Sequence, residues 1–171
     1  MFVLLMYGAM LAAPLWAIAV VVKLVSVALP GRRPDWARDL LGWSSGMAAV
    51  GAVITYAIGL GSVQWHASEA ESGAGSSPAV PCRSLPPDAL DRLAGHEPSY
   101  VPLGFDCLLD DGSVVAGSGS YTLLNAAAAA FALAAVVALI AVGFVDEYRA
   151  RAARRRGVLE GEAESTGELS A

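Results

Sequence analysis

Charge is scarce in this chain of 171 residues: Asp, Glu, Lys and Arg make up 16% of it, with two histidines and two cysteines. Lys23 is the one lysine. So small a charged fraction beside 56% apolar residues and a mean hydropathy of +0.54 excludes a disordered chain and an ordinary soluble domain. Also missing are GxSxG, HExxH, CxxC, GxxxxGK and a GxGxxG following a strand, so no named reaction is indicated and no catalytic residue, cofactor or metal is expected.

What the chain has in excess is long apolar runs. Phe2 to Leu29, Trp43 to Val63 and Tyr121 to Val145 each reach the roughly 20 residues needed to cross a hydrocarbon core. The expected fold is therefore an all-α membrane protein with three transmembrane helices and one small extracytoplasmic loop. The parts are a first transmembrane helix over 1–30, a cytoplasmic connector over 31–42 and a second helix over 43–64. A loop over 65–120, a third helix over 121–148 and a basic then acidic tail over 149–171 complete the chain. None of the segments between or after the helices is long enough for an enzyme domain of usual size. The first run reads as a retained helix: Met1 to Leu5 carry no basic side chain, and the run far exceeds a signal's apolar region. Lys23 can snorkel to the headgroups, and Pro14 is expected to kink the helix.

Orientation follows from arginine placement. Arg32, Arg33 and Arg38 lie in the connector, and Arg149, Arg151, Arg154, Arg155 and Arg156 follow the third helix, so both segments are expected in the cytoplasm. The loop holds Arg83 and Arg92 against eight acidic residues and is expected outside. Three crossings satisfy this, with the N-terminus outside and the C-terminus cytoplasmic. Trp43 and Trp65 bracket the second helix at a spacing of about 33 Å, as interfacial aromatics do.

Both cysteines, Cys82 and Cys107, fall in the outer loop, where thiols oxidise, and are predicted to pair. Closing a loop of this length contributes about 3–4 kcal/mol to a lobe too small for a large core. A metal pair or reactive thiol has no nearby His or second Cys in sequence to support it. Ser68 to Ala79 reads as a flexible lead-in. A short helix is expected from Ser84 to Gly95, with Ser84 as its cap. A hairpin is expected about the two-residue turn Asp111-Gly112, with Leu109 facing Val114 and Cys107 facing Ala116. The lobe is thus expected to be a stapled helix plus hairpin.

The run Tyr100-Val101-Pro102-Leu103-Gly104-Phe105-Asp106-Cys107, followed by Asp111-Gly112 and preceded by Cys82, resembles outer loops of small integral membrane proteins of high-GC actinobacteria. The use of Arg over Lys and the abundance of Ala fit that source. The resemblance implies a bacterial cytoplasmic membrane and no activity.

In lipid, small residues spaced by four mark close helix contacts. Ala9, Ala13 and Ala17 in the first span, and Ala126, Ala130, Ala134 and Ala138 in the third, are the candidate packing faces. The second span offers Ser44, Ala48 and Ala52, or Ala49, Ala57 and Gly61. Thr55, Tyr56 and Asn125 are the polar groups available to line a path through the spans. A metal site would need His66 with Glu69 and His96 with Glu97 to converge, and the two histidines are read instead as solvated loop residues; Asp106, Asp110, Asp111 and Gly112 are read as turn chemistry, since their spacing departs from a calcium loop. The arginines at 149, 151, 154, 155 and 156 are candidates for contact with anionic lipid, and the tail from Gly157 is expected to be disordered. The expected partners are the bilayer and a second membrane protein or another copy, with no nucleic acid. An accessory or scaffold protein is the leading expectation, a homo-oligomeric pore or transporter component the alternative, and a membrane-embedded enzyme using His66, His96 and the lobe's carboxylates the third.

Overall fold

The computed structural model describes residues 2–28, 35–73, 78–119 and 121–168. In chain order it has α1 (Phe2–Ala28), α2 (Trp36–Glu71), a 3-10 turn at Val80–Cys82 and α3 (Pro87–Leu90). Strands β1 (Leu93–Tyr100), β2 (Leu103–Leu109) and β3 (Val114–Ala116) follow, then α4 (Tyr121–Glu168). α1, α2 and α4 are each long and apolar enough to cross a membrane.

α2 and α4 outrun the expected spans. α2 starts at Trp36, shortening the connector, and ends at Glu71. Asp39 favours its first turn electrostatically, and Ala67 to Glu71 are mostly good helix formers, so Ser68 to Glu71 are helical and not part of a flexible lead-in. Residues 74–77 of that lead-in lie outside the described residues. α4 continues for 48 residues, so the disorder expected from Gly157 gives way to helix through Glu168. Ala, Arg and Glu dominate this stretch, and Arg151 reaches back one turn to Glu147 at 2.8 Å, which together offset the cost of its glycines. α1 continues on both sides of Pro14.

α2 is the central helix, flanked by α1 and α4, both antiparallel to it. Its glycines admit the neighbours. A Cβ on Gly61 would lie 2.3 Å from Met6 Cβ, and one on Gly51 2.8 Å from the Trp16 ring and 3.3 Å from Phe131. One on Gly59 would lie 2.3 Å from Leu103 Cδ1. Backbone approach of this kind raises the number of dispersion contacts between the helices. Polar clasps add direction: Trp16 Nε1 donates to the Met47 carbonyl at 2.9 Å, and Ser45 Oγ, itself buried, to the Ala135 carbonyl at 3.0 Å. At the arginine-rich end, Arg38 pairs with Asp146 and Arg149 with Asp35, each at 2.6 Å, and the Lys23 ammonium lies 5.8 Å from the Trp43 ring centroid.

The lobe between α2 and α4 is an antiparallel sheet in the order β1-β2-β3. It departs from the expected helix plus hairpin in three ways. The helix is a single turn with Pro86, and not Ser84, at its N-cap. Leu93 to Tyr100 form a strand instead of continuing that helix; Pro98, which cannot donate, is accommodated because β1 lies at the sheet edge. The hairpin register is shifted by one, with Leu108 opposite Val114 and Cys107 opposite Val115. The loop holds three residues, closed by the Leu109 N–H donating to the Ser113 carbonyl at 2.9 Å, with Gly112 at φ +79°. Val115, not Val114 or Ala116, therefore shares the inner face with Cys107. Leu103, Phe105, Cys107 and Leu109 alternate inward along β2, and the Cys82–Cys107 disulfide, with a Cα separation of 5.9 Å, sits at the centre of the core.

Filling the α2 notches tests this packing. Gly59→Val and Gly61→Val are each expected to cost about 1–3 kcal/mol, since Leu103 or Met6 must be displaced. Gly46→Val, at an exposed position with no neighbour within 4 Å, is expected to change little. Unfolding midpoints in detergent would measure the difference, and equal midpoints for the three variants would contradict it.

Candidate functional site at the lobe and helix junction

A β-lobe placed against apolar helices must satisfy its own backbone where water is excluded. Asn125 does this for β2. Its Nδ2 donates to the Leu103 carbonyl at 2.8 Å, and its Oδ1 accepts from the Leu103 N–H at 3.0 Å, reproducing the pair of bonds an adjacent antiparallel strand would supply. From the other helix, the Tyr56 hydroxyl donates to the Tyr100 carbonyl at 2.6 Å. Helices also contribute to the lobe's core: Val63 of α2 and Tyr121 of α4 are buried with Ala79, Cys82, Leu103, Phe105 and Cys107. The lobe is bonded to the helices at both edges of its β1–β2 turn.

Phe105, one of two aromatics buried in the core, contacts two histidines. His96 stacks on it at 5.3 Å between centroids, and His66 meets it edge-on at 6.4 Å. Neither is a solvated loop histidine as expected: His66 is on α2, half-buried, with its Nδ1 lacking a hydrogen bond and 3.7 Å from Glu69, while His96 is on β1 opposite Cys107. Burying an apolar edge of each ring outweighs its hydration here. A small cavity of about 100 Å³ lies alongside, lined by Ala70, Pro78, Ala79, Leu93, Ala94, Gly95 and His96. Among the described residues, no group of three or more His, Cys, Asp or Glu has the arrangement to hold a metal ion.

At the far end of the sheet, Arg92 pairs with Asp110 at 3.1 Å and with Asp111. Asp111 also accepts from the Ser113 hydroxyl at 2.6 Å and the Ser113 N–H at 2.9 Å. These bonds, Ser113's foremost, hold the Asp111 carboxyl down to about 2. The acidic turn is thus occupied by a guanidinium and its own backbone.

The remaining candidates divide. Thr55 donates to the Gly51 carbonyl one turn back, so all three polar groups proposed to line a path are engaged within the chain. Of the arginine cluster, Arg149 and Arg151 are paired with Asp35 and Glu147, while Arg154, Arg155 and Arg156 are exposed. Ala9 is buried and Ala13 partly so, but Ala17 is exposed. Ala126, Ala130 and Ala134 are also exposed; α4 packs inward through Leu124, Asn125, Ala128, Phe131, Ala135 and Ala138, because Leu124 and Phe131 carry the bulk that fits the α2 notches. The anchoring roles of Asn125 and Tyr56 were missed from sequence. Their polarity inside apolar runs was the signal, but their backbone partners were not visible. No family model, curated protein or solved structure matches the chain.

Asn125→Leu is expected to leave the Leu103 N–H and carbonyl without that partner, at a cost of about 1–3 kcal/mol. Amide exchange would rise at Leu103, with the α2–α4 contacts retained; unchanged exchange there would remove Asn125 as the anchor. A second test uses pH. Because the folded pKa of Asp111 lies below its unfolded value of 3.8, the turn's stabilisation is fully present above that value and is lost as pH falls through about 2. Carboxyl ¹³C titration is expected to show this low midpoint, and Ser113→Ala to move it upward; no movement would transfer the cause to Arg92.

Proposed function

We propose that this chain is a small accessory or scaffold protein of a bacterial cytoplasmic membrane, of the kind its loop resembles in actinobacteria. It crosses three times, with the lobe and N-terminus outside and the arginine-rich end of α4 in the cytoplasm. Side chains on the outer helix surfaces support lipid contact: Leu4, Leu11 and Leu15 of α1, Val53 of α2, and Leu133, Leu139 and Phe144 of α4 are each more than 60% exposed. The arginine bias supports the orientation. The observation that carries the accessory role is the bonding of the lobe to both α2 and α4 through Tyr56 and Asn125. A lobe held this way presents a fixed surface to a neighbouring membrane protein, and contact at the lobe is felt by the helices. The alternative of a self-assembling pore draws support from the exposed Ala126, Ala130 and Ala134 face, which is free to meet another copy. Its lining would have to come from groups other than Thr55, Tyr56 and Asn125.

The test is gentle extraction of the tagged chain from its own membrane and native mass determination. A stoichiometric foreign protein is expected, lost when Cys82 and Cys107 are both replaced by Ser and kept when Ala130 and Ala134 are replaced by Leu. A pure oligomer of this chain that dissociates on the Ala→Leu changes would overturn the accessory role in favour of the pore.

A further inference from the structure

The β1–β2 turn is apolar where a solvent-facing turn is usually polar. Val101 is 83% exposed and Tyr100 40%, Pro102 is also exposed, and Tyr100 to Gly104 carry no charge. The nearest charges on the sheet, Glu97 and Asp106, face each other across the ladder, about 10–13 Å up the strands at 3.3 Å per residue. Charge then concentrates at the opposite end, in Arg92, Asp110 and Asp111. The sheet is therefore polarised lengthwise, with one apolar tip and one ionic tip.

The apolar tip lies at a definite depth along the helices. Counting about 20 residues, or 30 Å, from Trp43 beside Lys23 brings α2 to Val63, and Asn125, which follows Leu124 opposite Gly59, lies about 6–8 Å inside that level. The turn is bonded about 6–10 Å inside that level: Leu103 to Asn125, Leu103 against Gly59, and Tyr100 to Tyr56. Four of its backbone groups have side-chain partners and need no water there. The Tyr100 carbonyl takes the Tyr56 hydroxyl, and Leu103 takes the Asn125 amide on both its groups. The Pro102 carbonyl takes Ser99 Oγ at 2.8 Å, and Pro102 has no N–H to satisfy. Water would serve a turn standing in solvent without help from two helices.

We propose that Tyr100 to Pro102 form a wedge that enters the outer leaflet past the headgroups, among the upper acyl chains, with Tyr56 and Asn125 replacing water at Tyr100 and Leu103. Its ligand is the upper acyl region of phospholipid. The wedge rests on the three-span reading above, and the lobe lies on the bilayer surface, with its ionic tip pointing away.

A solvatochromic amino acid placed by codon suppression at position 101, 110 or 137 of the full chain tests this without new thiols. Val101 is so exposed that the probe displaces no packed neighbour. In phosphatidylcholine–phosphatidylglycerol vesicles, the probe at 101 is expected to be quenched by lipids brominated near the glycerol end of their chains, and several-fold less by iodide than the probe at 110. The probe at 137, on the exposed face of α4, reports the span itself. Iodide quenching at 101 equal to that at 110, with 137 quenched by brominated lipid, would overturn the wedge and leave the spans standing. Iodide access at 137 as well would overturn the spans and the wedge with them.

Discussion

Close approach of three neighbours to one helix organises the molecule. α2 meets Met6 at Gly61, Trp16 and Phe131 at Gly51, and Leu103 with Leu124 at Gly59, so α1, α4 and the lobe all key into notches where α2 has no side chain. Most of the apolar surface of these helices is not buried within the molecule, so their order depends on how many atoms come into contact where they meet. A notch that admits a ring or a leucine raises that number and fixes the sliding register. The hydrogen bonds from Trp16 and Ser45 hold the same register.

The lobe solves a different problem. Its core is small, and two of its seven buried members, Val63 and Tyr121, belong to the helices. The disulfide joins the 3-10 turn to β2, limiting the unfolded alternatives of the segment between them. Asn125 and Tyr56 add what the sheet lacks at its helix-facing end, partners for backbone groups that no further strand covers. Lobe and helices therefore share one cooperative unit, and Leu103 belongs to both: its backbone bonds to α4 and its side chain rests on α2.

What could be read from sequence was whatever depends on local composition. Three apolar runs, two cysteines in one segment and an Asp-Gly turn needed no distant partner, and the long helices, the disulfide and the hairpin are present. The hairpin register was misjudged by one because a two-residue and a three-residue loop share the same Asp-Gly signal, and the bonds from Ser113 to Asp111 help set the longer one. β1 was missed because LAGHEPSY has neither alternation nor β-branched residues; it is a strand because β2 pairs with it. In the alanine-rich start of α4 every four-residue register offers small side chains, so spacing could not select the packed face. Leu124 and Phe131 select it by bulk. Asn125 was visible as a misfit, but its partner, 22 residues earlier, was not.

The unbroken course of α4 through Gly157 has a mechanical consequence. A disordered acidic end could fold back and neutralise the arginines before it; a helix cannot reverse. At about 1.5 Å per residue, Glu168 is held roughly 25 Å farther along the axis than Arg151. Positive and negative segments thus occupy successive stations on one rigid rod, and whatever meets its acidic end is kept at arm's length from the surface its arginines face.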